Sequence, residues 1–179
     1  MSRQAIKSGF DLDIHSYNAY RQWNCEPGIS VSEIVEEHPD YHIHVTRCPW
    51  LETWQRYGLV EFGKYYCDYI DKALVQGFGG GLELNVAKTL SHGDHYCDFT
   101  WPNAAYDAQT QEMISNRVHG AGLMSWKEMV EDFCTVCSSV LSKHVPQLAP
   151  IILKKTCVNF SEIYGEKLTS VLEECMLSL

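Results

Sequence analysis

The spacing of apolar residues changes several times along the chain. Tyr41-His42-Ile43-His44-Val45-Thr46 alternates, with Ile43 and Val45 on one face and His42 and His44 on the other, and this period of two predicts a strand. Pro49 then suits the first turn of a helix, where an absent N–H has no intrahelical partner to lose. Trp50, Trp54 and Tyr57 follow at helical spacing. After Gly58, Leu59, Phe62, Tyr66, Ile70 and Ala73 fall three or four apart as the apolar stripe of a second helix. Cys67 and Asp71, four apart, stack on the flank of that stripe. Gly77-Phe78-Gly79-Gly80-Gly81 ends the helix. A phosphate-binding loop would need strand, loop, helix in that order and a further glycine where Leu82 stands, so a C-cap and turn is the preferred reading.

The segments LELNVAKTL (82–90) and HYCDFTW (95–101) alternate around Ser91-His92-Gly93-Asp94 and predict a hairpin. With Gly93-Asp94 as a two-residue turn, Leu90 faces Cys97, Lys88 faces Phe99 and Val86 faces Trp101; a turn at His92-Gly93 slips the pairing. Either way Cys97, Phe99 and Trp101 share one strand face. Helices are expected over 104–118, over 126–142 behind Ser125 with Glu128 at capping-box spacing, and over 160–177, with a break at 146–150. Residues 1–40 are weakly patterned, with Ser30 or Ser32 able to cap a short helix through Glu37. The order of elements predicts an α+β fold: a small antiparallel β-sheet covered by helices, with a helical C-terminal part.

At 179 residues and 45% hydrophobic content the chain can close one sizeable core, so one domain over 1–179 is expected, with an N-terminal segment (1–40), a strand-helix-hairpin core (41–103) and a helical part (104–179). Lys and Arg number 14 against 23 Asp and Glu, a formal charge of −9 without a basic run, which argues against nucleic acid as a partner. The opening MSRQAIKSGFDLD has no signal-peptide core and no window approaches the length of a membrane span, so a soluble cytoplasmic protein is expected. Eight cysteines without an export signal are expected to be reduced, and their spacing forms no paired CxxC framework for structural zinc.

Chemistry can sit at a few places. If Pro49 is the first helical residue, Cys48 is the N-cap, near the positive end of the helix dipole with Arg47 beside it; both effects favour the thiolate. The alternative is a small buried apolar residue between strand and helix. Cys67 and Cys97 can converge with Cys48 on one pocket or simply pack. Asp71, one turn beyond Cys67, can accept a proton, and His95, two residues from Cys97, is the favoured base among His42, His44, His92 and His95. Trp50, Phe99, Trp54 and Trp101 can form an aromatic wall for a flat heterocycle or belong to the core. Arg47, Arg56 and Lys88 are the candidate cations for an anionic ligand. No cofactor is expected; zinc held by Cys and His side chains stays open as an alternative. Cys134-Thr135-Val136-Cys137 lies inside a predicted helix, where packing is the simpler reading than redox work, and Cys25, Cys157 and Cys175 show nothing beyond packing.

The ordered set Cys48-Pro49, Cys67-x-x-x-Asp71, Gly77-Phe78, Thr89-Leu90, Gly93-Asp94 and Cys97-Asp98-Phe99 resembles the L-2-amino-thiazoline-4-carboxylic acid hydrolase family over roughly residues 41–103. More distantly it is similar to small-molecule-binding domains of the vinyl-reductase type, which are α+β, often dimeric, and bind without hydrolysing. The resemblance implies a hydrolase that opens a cyclic amidine: water adds at the carbon between ring nitrogen and sulfur, and the ring breaks to a carbamoyl-cysteine. Matched position by position, it gives weight to Cys48, Cys67, Asp71, Gly93 and Cys97. The expected assignment is therefore Cys48 as nucleophile or as donor beside an activated water, with Asp71 and His95 handling protons. Cys67, Cys97, Arg47, Trp50 and Phe99 would contact a heterocyclic substrate. A homodimer is an arrangement the resemblance admits, and a non-catalytic binding or sensing domain is the alternative function.

Overall fold

The computed structural model describes residues 1–21, 26–121 and 125–177. They fall into two compact units, Met1–Leu123 and Met124–Leu179. In the first, α1 (Ser2–Lys7) and α2 (Ile14–Ala19) precede β1 (Val31–Glu36) and β2 (Tyr41–Arg47). Next come α3 (Pro49–Tyr57), α4 (Val60–Phe78), β3 (Asn85–Lys88), β4 (Cys97–Trp101) and α5 (Ala108–Ala121). The strands form one antiparallel sheet in the order β1-β2-β4-β3. The fold is α+β.

One face of the sheet makes the core. Tyr41 pairs with Trp101, Ile43 with Phe99 and Val45 with Cys97 across β2 and β4, so the period of two sends all six side chains to the same side. Tyr41 and Trp101 pack there with Ile14 of α2 and Val75 of α4. A neighbouring cluster joins Ala19, Tyr20, Phe78, Ile114 and Val118. The hairpin's partners on the other face, His42, His44 and Asp98, are only partly buried.

Several expectations are corrected. Residues 31–36 form the edge strand β1 rather than a helix: Val31, Ile34 and Val35 are β-branched, and pairing with β2 overrides the serine cap signal. The weakly patterned start holds two short helices; Asp13 caps α2, its carboxylate accepting the Ser16 N–H at 2.8 Å. The inward face of α4 is turned from the predicted stripe. Gly63, Val75 and Phe78 are buried and Tyr66, Cys67, Ile70, Asp71 and Leu74 partly so, whereas Phe62, Tyr65 and Tyr69 are 66%, 65% and 72% exposed. Cys67 and Asp71 thus lie on the inner face itself.

The hairpin does not turn at Gly93-Asp94 alone. A 3₁₀ turn at Leu90–His92 leads to Gly93 at φ 94°, and the Asp94 carboxylate accepts the Thr89 N–H at 2.9 Å. Val86 consequently pairs with Phe99 instead of Trp101, and Lys88 with Asp98 instead of Phe99, with a bulge between them. Leu90 meets Cys97 through its N–H, which donates to Sγ at 3.3 Å. The glycine run after α4 is a turn: Gly79, Gly80 and Gly81 all have positive φ, and a Cβ on Gly80 would collide with the Leu12 carbonyl.

The second unit is helical: α6 (Trp126–His144), α7 (Ala149–Tyr164) and α8 (Glu166–Leu177). Ser125 and Glu128 form the expected capping box. The sequence reading lacked the N-terminal two-thirds of α7; Pro150 sits in its first turn, where proline starts a helix as readily as it breaks one. Cys134 of the CxxC pair is buried with Leu153, Cys157 and Leu172 in this unit's core, while Cys137 is partly buried. Cys25 lies outside the described residues. Among the described residues no helix is long and apolar enough to cross a membrane.

Candidate functional site

A cavity of about 200 Å³ opens within the first unit between the inner sheet face, α2, α3 and α4. It is smaller than the roughly 300–1,000 Å³ of sites for drug-sized ligands, and suits a single substituted ring. Each element contributes for a local reason. The strand period brings Val45, Cys97 and Phe99 to its floor. Pro49 starts α3 directly after β2, which sets Cys48 at the rim as the N-cap, with extended backbone at φ −127° and ψ 117°. The spacing of four along α4 aligns Cys67 and Asp71 on the wall, with Tyr66 and Leu74 beside them. Trp50, Trp54 and Tyr66 close the aromatic side; the Trp50 and Tyr66 rings lie 5.3 Å apart and the Trp54 and Tyr66 rings 5.5 Å. Gly63 permits this, because a Cβ there would occupy the place of the Trp54 indole.

The electrostatics separate the polar groups. Burial pushes the Asp71 carboxyl from 3.8 up to about 6, a value from which it can both accept and return a proton near neutrality. Burial also drives Cys97 to about 12, against the opposing Leu90 N–H. It raises Cys67 too, partly countered by a hydrogen bond from Ser91, with the Asp71 and Cys48 charges adding to the rise. Tyr17 and Tyr66 are both lifted to about 12, by burial first and by the Asp71 charge second. At neutral pH the cavity therefore offers Asp71 as its titrating acid, beside phenols and two thiols that keep their protons.

Cys48, Cys67, Cys97, Asp71, Trp50 and Phe99, all singled out from the sequence, line this one cavity. His95 and Arg47 do not. β4 begins only at Cys97, which leaves His95 exposed in the preceding bend instead of on the strand face. The Arg47 guanidinium is turned outward, bonded to Glu52 through Nε at 2.6 Å and to the Gly28 carbonyl through Nη1 at 2.6 Å, so it gives the cysteine no adjacent cation. The Cys48 side chain makes no capping bond to the α3 amides. Trp54, named with Trp50 and Phe99 for an aromatic wall, lines the cavity, whereas Trp101 belongs to the core; sequence reasoning missed Tyr17, Arg21 and Tyr66 as lining residues. Asp13, an N-cap residue ahead of IHSYNAYR, was the signal that would have revealed α2 and with it Tyr17 and Arg21. Outside the cavity, among the described residues, one group brings histidine and carboxylate ligand atoms within 4.8 Å of one another: His42, His44 and Asp98.

Fold and site together define an α+β unit with an apolar cavity lined by thiols, a carboxyl group of raised pKa and an arginine. The chain belongs to the L-2-amino-thiazoline-4-carboxylic acid hydrolase family, whose profile matches residues 1–101 of its 179. The match takes in α1 and α2 ahead of the motif-bearing strands, and Tyr17 of α2 is part of the cavity wall. No curated protein and no solved structure matches the chain.

Proposed function

We propose that the cavity hydrolyses a small cyclic amidine of the 2-amino-thiazoline-4-carboxylate type. The observation that carries this reading is the convergence of Cys48, Cys67, Asp71 and Cys97 on one ring-sized space, with Asp71 raised to about 6 in a chain of this family. In its ionised form Asp71 takes a proton from water as the water oxygen bonds to the ring carbon between nitrogen and sulfur. The bond from that carbon to sulfur then breaks, Asp71 returns its proton to the leaving sulfur, and the hydroxyl proton of the adduct passes to the former amidine nitrogen as the carbonyl forms. Ring plus water gives a carbamoyl-cysteine, with no change in oxidation state. General acid-base help of this kind contributes about 10² to 10⁴-fold.

Cys48 acts at the rim, as nucleophile or as donor beside the water. Cys67, Cys97, Tyr17 and Tyr66 stay protonated and steady the heteroatoms of the ring. Trp50, Trp54 and Phe99 sandwich the flat ring, and Arg21, a cation lining the cavity, takes the substrate carboxylate in the role first expected of Arg47.

The test pairs binding with turnover. Thermal-shift screening with aminothiazoline carboxylates, hydantoins and related rings is followed by chromatography for ring-opened product. Stabilisation with stoichiometric conversion supports hydrolysis, and stabilisation without product contradicts it in favour of a binding module. Mass spectrometry of the quenched reaction separates the two versions of Cys48: an adduct on its peptide marks the nucleophile, and a clean peptide with full turnover marks the donor.

A further inference from the structure

The cavity uses one face of β2 and β4; the opposite face carries a second set of chemically capable residues that the proposed hydrolysis leaves idle. His42 and His44 are two apart on β2 and so project together. The register pairs His44 directly with Asp98 on β4. His42 Nε2 lies 2.7 Å from Asp98 Oδ1 and His44 Nε2 lies 4.0 Å from Asp98 Oδ2. The three ligand atoms are all within 4.8 Å of one another. The side chains are 22%, 24% and 17% exposed, so the group is sheltered yet reachable from solvent.

The surroundings hold the imidazoles in position. The His44 ring stacks on Tyr96 with centroids 3.8 Å apart, and the His42 ring stands edge-on to His44 at 5.0 Å. Lys88, the cross-strand neighbour of Asp98 on β3, donates to the Tyr96 hydroxyl at 3.0 Å, so the cation on this face has its own acceptor. On β1, Glu33 sits opposite His44 and Glu36 opposite His42, which makes the field on this side of the sheet acidic.

We propose that His42, His44 and Asp98 form a binding site for a divalent transition-metal ion, zinc in the first place, on the outer face of the sheet. Two imidazoles and one carboxylate are a donor set that zinc accepts at about 2.0–2.2 Å per bond, with remaining positions left to water. The ion takes the place of the direct contact between His42 Nε2 and Asp98 Oδ1. An ion there ties β2 to β4, the strands whose other face floors the cavity with Val45, Cys97 and Phe99. The assignment is independent of what reacts in the cavity, because no residue of the group lines it.

The full chain is stripped with chelator and titrated with Zn²⁺ alone by equilibrium dialysis. The expected result is one ion per chain and a raised Tm. His44→Gln and Asp98→Asn, each checked for wild-type circular dichroism without metal, should each weaken binding about 10- to 100-fold. Titration with Co²⁺ distinguishes this site from the cavity thiols: visible ligand-field bands without a thiolate charge-transfer band are expected. A thiolate band, binding unchanged in both variants, or no stoichiometric ion at millimolar zinc would overturn the proposal.

Discussion

Asp71 concentrates both the cost and the use of the site. Its folded pKa of about 6 exceeds the 3.8 of the unfolded chain, so between those values the folded state holds a proton that the unfolded state has shed. The stability of the neutral carboxyl is complete below about 3.8 and is lost as the pH rises through 6; beyond that the buried carboxylate costs up to about 3 kcal/mol. Asp71→Asn should therefore stabilise the protein in urea melts near pH 7.5 and change it little near pH 4, where both side chains are neutral. The same variant should lose about 10²-fold or more in ring opening. Arg21 makes a different prediction: Arg21→Gln should raise KM for a carboxylate-bearing ring about tenfold or more and leave the KM of an uncharged analogue unchanged, measured by steady-state kinetics. Among single residues Cys48, Cys67, Asp71 and Cys97 were singled out through the family resemblance; the sequence left their convergence open beside plain packing, and it is the cavity lining that brings them together. Arg47 and His95 were misread because sequence adjacency to a cysteine says nothing of side-chain direction, which Glu52 and the late start of β4 decide.

At the level of elements, strand and helix periods announced β2, α3, α4 and β4, while the rotation of α4 escaped them. An apolar stripe points to the core when the core is apolar throughout, yet α4 turns Cys67 and Asp71 toward a cavity, and its aromatic residues Phe62, Tyr65 and Tyr69 are left outside. Gly63 gives no apolar signal at all, although the contact of Trp54 with α4 depends on it. Gly63→Ala should gain about 1 kcal/mol in helix propensity and lose about 1–3 kcal/mol to overpacking, for a net loss of stability. Because the Trp54 indole must also move, ligand affinity should fall, and Trp fluorescence quenching by a bound ring is the measurement. The hairpin register was the other ambiguous element: a two-residue turn and a 3₁₀ turn fit the same SHGD segment, and the choice rests on the Asp94 to Thr89 bond, which strand alternation does not encode.

For the whole molecule, the residues described as lining the cavity all belong to the first unit, and Cys134, Leu153, Cys157 and Leu172 form a core within the second. The fold class was readable from the order of periods; β1 and α7 were not, since an exposed edge strand lacks alternation and a proline marks helix starts and breaks alike. On the proposed reading the cavity hydrolyses a ring with Asp71 moving the proton. The pH dependence of kcat/KM for an aminothiazoline carboxylate, followed by chromatography for wild type and Asp71→Asn, tests it most directly. Wild-type activity should rise through an apparent pKa of about 6, and the variant should have lost both the rate and that limb. Ring opening by Asp71→Asn at the wild-type rate, with the same acid limb, would contradict it.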